Sequence, residues 1–232
     1  MKKRGLGVVM AFVVTFSATF FPMEIAKSVS LTTVSERGDV VIDAGHGGID
    51  GGVSGKISKV KESELNLDVA QKIESVLRGK AISCVMTRKD SDGLYGLPVK
   101  GFKKRDLTRR KEIIASSQAK IVVSVHMNAC PYPYRRGAQV FYKIGSEKSK
   151  ELAVFLQNKL NRLPEYVKKS NPLAGDFFIL NGTDKVAVLV ECGFLSNEED
   201  EALLNTEEFR RKIASVIAEG VFSFLLEKNY AA

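Results

Sequence analysis

Short apolar runs alternate with segments of helical periodicity along residues 38–228. The runs are rich in β-branched residues and nearly continuous, which is typical of strands in a sheet covered on both faces. The segments between them place apolar residues every three or four positions, which predicts helices. The predicted strands are Val40–Asp43, Ala81–Thr87, Ile121–His126, Ala138–Tyr142, Phe177–Leu180 and Ala187–Glu191. The predicted helices lie around Leu65–Leu77, Leu107–Ser117, Glu147–Leu163 and Glu207–Leu226.

This alternation predicts an α/β fold over residues 38–228, with a single three-layer domain. Its twisted sheet is expected to be mostly parallel or mixed, with about six strands flanked by helices. Ser63 precedes the periodic part of the first helix, which predicts a side-chain N-cap at this position. Asp90–Arg105 and Leu163–Gly175 lack periodicity and are predicted to be long loops, which often border active sites.

The first 30 residues follow a different pattern. Three basic residues at positions 2–4 precede an apolar stretch from Gly5 to Phe21. A basic head before an apolar run is the layout of an export signal, and this run is nearly long enough to cross a bilayer. Residues 1–30 are therefore predicted to be an export signal or a membrane anchor rather than a buried helix. The protein is predicted to be exported, with membrane contact only through this segment.

Charge and cysteine content narrow the class of protein. The formal net charge is +8, of which residues 1–30 carry +3. The modest positive charge of the remainder suits an anionic wall polymer or a lipid surface and does not require nucleic acid. The basic run from Lys100 to Arg105 is interpreted as a solvated loop. Cys84, Cys130 and Cys192 are an odd, widely spaced set, which argues against a disulfide framework and favours buried thiols.

The sequence has two histidines, and each follows the apolar part of a predicted strand. His46 lies in the Gly-rich segment after the first strand, and His126 ends the third. Because ligands bind beyond the carboxyl ends of strands in such sheets, both imidazoles are expected in one crevice. Imidazole is the commonest metal ligand in proteins, so the pair predicts a metal site. The segment Gly45–Gly52 lacks the ending and the spacing of nucleotide-binding loops.

A zinc site with two histidines is commonly completed by a carboxylate and a water molecule. Glu62 is the best candidate for this carboxylate, because the positive end of the first helix favours its ionised form. Glu64 is the nearby competitor, and Asp43 and Asp50 are weaker ones. An ordinary surface position at a helix start is the alternative interpretation of Glu62.

Glu191 directly follows the apolar run Val186–Val190. A carboxylate at the end of a buried strand is costly to desolvate unless it is paired, bound to a metal or functional. Burial raises the pKa of a carboxyl group towards the range useful for a general base, so a functional role is favoured. The alternative is a salt bridge to Arg109 or Arg110.

Five segments in order resemble the motifs of the zinc-dependent N-acetylmuramoyl-L-alanine amidases (amidase 3 type), over about residues 38–228. They are Asp43–Gly48, Glu62–Leu67, Leu107–Arg110, Ser124–Ala129 and Val188–Asn197. Ala44 stands where this family usually has proline, and Val186 where a proline often precedes Ala187. The likeness is closest to the spore-cortex amidases of endospore formers, the CwlD type, which share a short export segment, one catalytic domain and no wall-binding repeats.

This resemblance implies a catalytic mechanism and a place of action. The cofactor is Zn²⁺, and Glu191 is the catalytic carboxylate. The expected zinc ligands are His46, Glu62 and His126. The expected reaction is hydrolysis of the amide between N-acetylmuramic acid and L-alanine in peptidoglycan. In spore cortex this cleavage prepares muramic acid for δ-lactam formation, which places the protein in the cell envelope or the forespore intermembrane space.

The resemblance also suggests roles for Arg110 and Asn128, and the sequence suggests control of the enzyme from outside the chain. Arg110 matches a helix arginine of the family and is expected to support Glu191, the alternative being an ordinary surface pair. Asn128 is expected either to orient substrate or to cap its loop. No segment able to plug the site is visible between His126 and Glu191, so control by the compartment or by a partner protein is expected.

Other functions stay open at this point. A zinc carboxypeptidase acting on wall peptides would release a single amino acid rather than an intact stem peptide. A catalytically silent peptidoglycan-binding protein would bind sacculi without zinc and without releasing peptides. A basic nucleic-acid binder would bind DNA with a steep dependence on salt, and the export segment argues against it.

Overall fold

The computed structural model describes residues 38–228, and its centre is a mixed sheet. The strands are β1 (Val40–Ala44), β2 (Cys84–Met86), β3 (Ile121–Asn128), β4 (Gln139–Lys143), β5 (Leu173–Gly175) and β6 (Val186–Phe194). Their spatial order is β2-β1-β3-β6-β4-β5. β2, β1, β3 and β6 are mutually parallel, while β4 runs antiparallel to β6 and parallel to β5.

Helices cover both faces of this sheet. They are α1 (Glu62–Gly79), α2 (Phe102–Ser116), α3 (Glu147–Leu160), α4 (Phe178–Asn181), α5 (Glu198–Asn205) and α6 (Glu207–Glu227). Alternate strand residues enter two cores, because successive side chains of a strand point to opposite faces. Val40 and Ile42 pack with α1, α3 and α6, whereas Val41 packs with α2 and α4. The predicted three-layer α/β fold with a mixed sheet is confirmed.

One predicted strand is wrong. Three of the four residues Phe177–Leu180 lie in the short helix α4 (Phe178–Asn181). The strand that was not predicted, β5 (Leu173–Gly175), lies inside the predicted loop Leu163–Gly175. A four-residue apolar run shows no periodicity that separates a strand from a helical turn. Ile179 and Leu180 are buried against the α2 side of the sheet, so the apolar character of the run reflects burial and not extended backbone.

Several element boundaries also differ from the prediction. Ser63 is not the N-cap of α1, because the helix starts at Glu62 and Lys61 precedes it without a side-chain cap. The first amides of α1 donate instead to the carbonyl oxygens of Val53 and Gly51. Helix α2 begins at Phe102, five residues earlier than expected, and α5 was not predicted.

The predicted export signal or anchor, residues 1–30, lies outside the described residues. Within residues 38–228, no helix combines the length and the apolar character that crossing a membrane requires.

Candidate metal and catalytic site

The site lies where β1, β3 and β6 end side by side. These three strands are neighbours and parallel, so their carboxyl ends share one edge of the sheet. His46 follows β1 by two residues, and His126 pairs in register with Glu191 across β3 and β6. The register shifts between His126 and Asn128, and such irregularities are common beside active sites because they redirect side chains. The topology therefore brings three distant segments to one place.

The backbone after β1 turns sharply so that the His46 ring enters this place. His46 has a φ of 61°, and Gly47 and Gly48 also have positive φ. Gly45 packs directly against the His126 ring, because a Cβ added to Gly45 would lie 2.2 Å from His126 Cε1. Glycine at this position is required for the two histidines to approach each other.

The two histidines and Glu62 form one compact cluster. The nearest atom of Glu62 is Oε1, which lies 2.8 Å from His126 Nδ1 and 3.3 Å from His46 Nε2. One ligand atom from each of the three residues falls within 4.8 Å of the others. The structure thus brings together the three candidate ligands that the sequence analysis selected.

This donor set fits a zinc ion. Two imidazole nitrogens and one carboxylate oxygen are a common protein ligand set of catalytic zinc, which keeps its remaining position for water or substrate. Atoms that bind a tetrahedral zinc ion at about 2.1 Å lie roughly 3.5 Å from one another. The two histidine nitrogens nearest Glu62 Oε1 lie 2.8 and 3.3 Å from it, and all three candidate ligand atoms lie within 4.8 Å of one another. The two rings are also roughly perpendicular, with their centres 5.1 Å apart, and one nitrogen of each lies within 3.3 Å of the same oxygen, Glu62 Oε1.

Glu62 is buried and held by its surroundings in the ionised form. Its Oε2 accepts a hydrogen bond from the backbone N–H of Val53, and Oε1 accepts from Asn66 Nδ2. Burial alone would raise the pKa of Glu62, but its contacts with His126 and His46 outweigh burial and lower the pKa well below its ordinary value. An ionised carboxylate in a fixed orientation is what metal binding needs.

Glu191 faces the same cavity, which has a volume of about 450 Å³ and also contains the three candidate ligands. Its Oε2 is buried and has no hydrogen-bond partner within residues 38–228. Burial raises the pKa of Glu191 to about 7, and the nearby Glu62 charge adds to this effect while the two histidines oppose it. A carboxyl group with this pKa and a free oxygen is suited to take up and release a proton.

Arg110 does not support Glu191, contrary to the expectation from the resemblance. Its guanidinium binds Asp43 Oδ1 at 2.7 Å and Asp106 Oδ2 at 2.5 Å, and it donates to the carbonyl oxygens of Ala44 and His46. Arg110 therefore holds the backbone of the His46 segment. The exposed Arg109 pairs with Glu112, so the alternative of a salt bridge from either arginine to Glu191 is also wrong.

Asp43 is part of this support and not a ligand. It is buried, and it accepts hydrogen bonds from Ser124 and Thr87 as well as from Arg110. Burial opposes ionisation of Asp43, but the Arg110 charge and the Ser124 hydrogen bond outweigh it and lower the pKa to about 2. Of the other competitors for the ligand role, Glu64 is exposed on α1.

Sequence reasoning missed a second buried arginine. Arg88 Nη2 donates to the carbonyl oxygens of Gly45 and Ser63, and its Nε donates to that of Ala44. This one side chain therefore ties the His46 segment to the start of α1, which carries Glu62. Arg88 lies just beyond β2, so the strand-end argument that selected the histidines would also have found it.

The remaining predicted residues are not part of the cluster formed by His46, Glu62 and His126. Asn128 lines the cavity and its backbone carbonyl accepts from Leu195, while its side-chain role stays a prediction. Cys84 and Cys192 are buried thiols as expected, whereas Cys130 is only half-buried. The cavity also has an apolar wall that was not anticipated, because part of it comes from the α4 region. This wall contains Leu107, Phe177, Phe178, Ile179 and Leu189.

Asp50 supports the His46 ring on the side away from the cluster. Its Oδ2 lies 3.0 Å from His46 Nδ1, and the two residues stand four positions apart in the Gly-rich segment. A carboxylate on the second ring nitrogen of a metal-binding histidine fixes the tautomer and the ring orientation. This arrangement directs His46 Nε2 at Glu62 Oε1, 3.3 Å away.

Asp50→Ala is expected to weaken zinc binding by about 10- to 100-fold, because the His46 ring loses the carboxylate that fixes its tautomer. Titration of the metal-free protein with zinc in the presence of a competing chelator measures this change. The matched control is Asp184→Ala, which removes a fully exposed carboxylate. Equal zinc affinity in both variants would show that Asp50 does not orient the ligand.

Comparison with known proteins points to one family. Residues 40–223 match the protein family described as N-acetylmuramoyl-L-alanine amidase. The germination-specific N-acetylmuramoyl-L-alanine amidase of Bacillus subtilis is 33% identical over 194 residues, covering 82% of this chain and 81% of that protein. AmiA of Escherichia coli is 30% identical, covering 80% of this chain and 75% of its own. The structure of the CwlD amidase from Clostridioides difficile in complex with the GerS lipoprotein has a TM-score of 0.78 at 33% identity, covering 82% of this chain and 100% of that one.

Proposed function

Because the chain belongs to the N-acetylmuramoyl-L-alanine amidase family, we propose that it cleaves the amide between N-acetylmuramic acid and L-alanine with Zn²⁺ held by His46, Glu62 and His126. Family membership makes the protein an amidase that acts on peptidoglycan. One observation carries the assignment of the catalytic group. The buried Oε2 of Glu191 has no partner among the described residues, and Glu191 lines the cavity that also contains His46, Glu62 and His126.

Glu191 moves the protons in this mechanism. When bound, a zinc ion supplies Lewis-acid polarisation of the scissile carbonyl and makes water more acidic. Glu191 accepts a proton from the attacking water as its oxygen adds to the carbonyl carbon. It then delivers that proton to the nitrogen of L-alanine as the carbon–nitrogen bond breaks. The products are an intact stem peptide with a free amino terminus and a muramic acid carboxylate.

The surrounding residues prepare the site for this reaction. Asp50, Arg88 and Arg110 hold the His46 segment so that the ligand positions exist before substrate binds. The apolar wall excludes water from one side of the cavity, which strengthens the electrostatic interactions of Glu191 with the reacting groups. Asn128 borders the cavity and is proposed to orient the substrate.

The proposed setting is the spore cortex, where this cleavage precedes muramic δ-lactam formation. The germination-specific amidase of B. subtilis and the CwlD amidase of C. difficile, each 33% identical to this chain, support this setting. The protein is proposed to act outside the cytoplasm, in the cell envelope or the forespore intermembrane space, after export through residues 1–30. The structure of CwlD with the GerS lipoprotein supports the prediction of a regulatory or activating partner protein.

The test is mass spectrometry of soluble fragments after purified protein is incubated with zinc and peptidoglycan. Release of intact stem peptides that begin with a free L-alanine is expected. Release of single amino acids would favour the carboxypeptidase alternative. Binding to sacculi without any released peptide, by a protein free of zinc, would favour the silent binding protein.

A further inference from the structure

The basic run Lys100–Arg105 is not simply a solvated loop. Helix α2 begins at Phe102, within this run, and Lys103 lies in its first turn at the wall of the catalytic cavity. The adjacent Lys104 lines a different groove, with Tyr95 and Arg109. The side chains of these two neighbouring lysines therefore lie on different surfaces, and of the two only Lys103 lines the catalytic cavity.

Lys103 carries the positive charge of this cavity that is accessible to a substrate. Among the residues that line the cavity, the other permanent side-chain cation is Arg110, which is buried. The guanidinium nitrogens of Arg110 are all bonded to Asp43, Asp106 and backbone carbonyls. The Lys103 side chain is 65% exposed, so its ammonium group remains accessible at the rim.

One contact holds the Lys103 ammonium group beside the reacting centre. Its Nζ lies 3.3 Å from Asp50 Oδ1, while the other oxygen of Asp50 contacts the His46 ring. An ammonium group has three N–H donors, so two remain for a substrate acceptor. Asp50 therefore contacts both the candidate ligand His46 and the positively charged Lys103 at the rim of the cavity.

We propose that Lys103 is a specificity residue that binds the first free carboxylate of the stem peptide. This inference rests on the proposed function, because it requires the scissile amide to lie between Glu191 and the metal cluster. The residue that follows L-alanine in the stem is acidic, and its free carboxylate is the nearest substrate anion to the scissile bond. Lysine suits such a contact at a wet rim, since it binds carboxylates as a compact charge without demanding a fixed planar geometry.

The experiment compares two soluble muramoyl peptides that differ at one group. In the first, the residue after L-alanine carries a free carboxylate, and in the second the same group is a carboxamide. Lys103→Ala is expected to raise KM about fivefold on the carboxylate substrate, with kcat nearly unchanged. On the carboxamide substrate the same variant is expected to match wild type. Lys103→Arg keeps the charge and is expected to retain most of the preference for the carboxylate.

Lys104→Ala is the matched control, because it removes a neighbouring charge that faces another groove. Equal effects of Lys103→Ala on both substrates would overturn the proposal, since they would show that Lys103 acts only through Asp50 and His46. An unchanged KM on the carboxylate substrate would overturn it as well. Failure of wild-type enzyme to cleave either peptide at the muramoyl amide would instead contradict the proposed function.

Discussion

Glu191→Gln is expected to lower kcat on peptidoglycan by about 10³-fold, because glutamine cannot accept the proton that the attacking water gives up. The substitution keeps the size and shape of the side chain, so the cavity and the three ligands are expected to stay in place. Zinc content per chain, measured by elemental analysis, is therefore expected to equal that of wild type. Turnover is measured as the release of stem peptides from purified sacculi.

Glu64→Gln is the matched control for this experiment. Glu64 is an exposed glutamate of α1, only two residues from a candidate ligand, and its change is expected to leave turnover and zinc content as in wild type. Near-normal turnover of Glu191→Gln would refute the role of Glu191 as the proton carrier. Loss of zinc from Glu191→Gln would show that Glu191 acts on the metal cluster instead.

The same variant is expected to change how stability depends on pH. In the metal-free folded protein the pKa of Glu191 is raised from 4.5 to about 7, so folding favours its protonated form. The resulting stability is fully present below pH 4.5 and is lost as pH rises through about 7. Glutamine stays neutral, so Glu191→Gln is expected to unfold at a higher temperature than wild type at pH 8, but not at pH 4. Thermal unfolding of both metal-free proteins at these values measures the difference.

The spatial meeting of the candidate site residues was predictable, because it depends on where a few long apolar strands end. The apolar runs of β1, β3 and β6 are long enough to be recognised as buried strands, and parallel strands end at the same edge of a sheet. His46, His126 and Glu191 follow directly from that rule. Glu62 required one more step, the field at the start of a helix, which made it the best candidate and left Glu64 as its nearby competitor.

The roles of the two supporting arginines were less predictable, because each holds the His46 segment through bonds to its backbone carbonyl oxygens. Arg110 was assigned to Glu191 on a family likeness, but its guanidinium reaches carbonyl oxygens of the His46 segment, which no side-chain pattern reveals. Arg88 plays a similar part from the end of β2. The α4 error has a related cause, since a short buried run such as Phe177–Leu180 carries no periodicity, and its conformation is decided by packing against α2 and the sheet.

His46→Ala is expected to remove zinc binding at micromolar protein concentrations, with an affinity loss above about 100-fold, because a missing ligand costs more than a disturbed supporting residue. His46 lies on a loop after β1 with 25% of its side chain exposed, outside both hydrophobic cores. The variant is therefore expected to keep the far-ultraviolet circular dichroism of wild type. Elemental analysis after dialysis measures the metal.

The control for His46→Ala is Glu64→Ala, which is expected to retain one zinc ion per chain. The zinc affinity of Asp50→Ala is expected to lie between those of these two variants. Asp50→Ala keeps all three candidate ligands and removes only the contact that orients the His46 ring. This order of affinities follows from the 3.0 Å contact of Asp50 on one ring nitrogen and the 3.3 Å approach of the other to Glu62. Undiminished zinc in His46→Ala would mean that the ion is held by other groups, and the cluster would then lose its part in the mechanism.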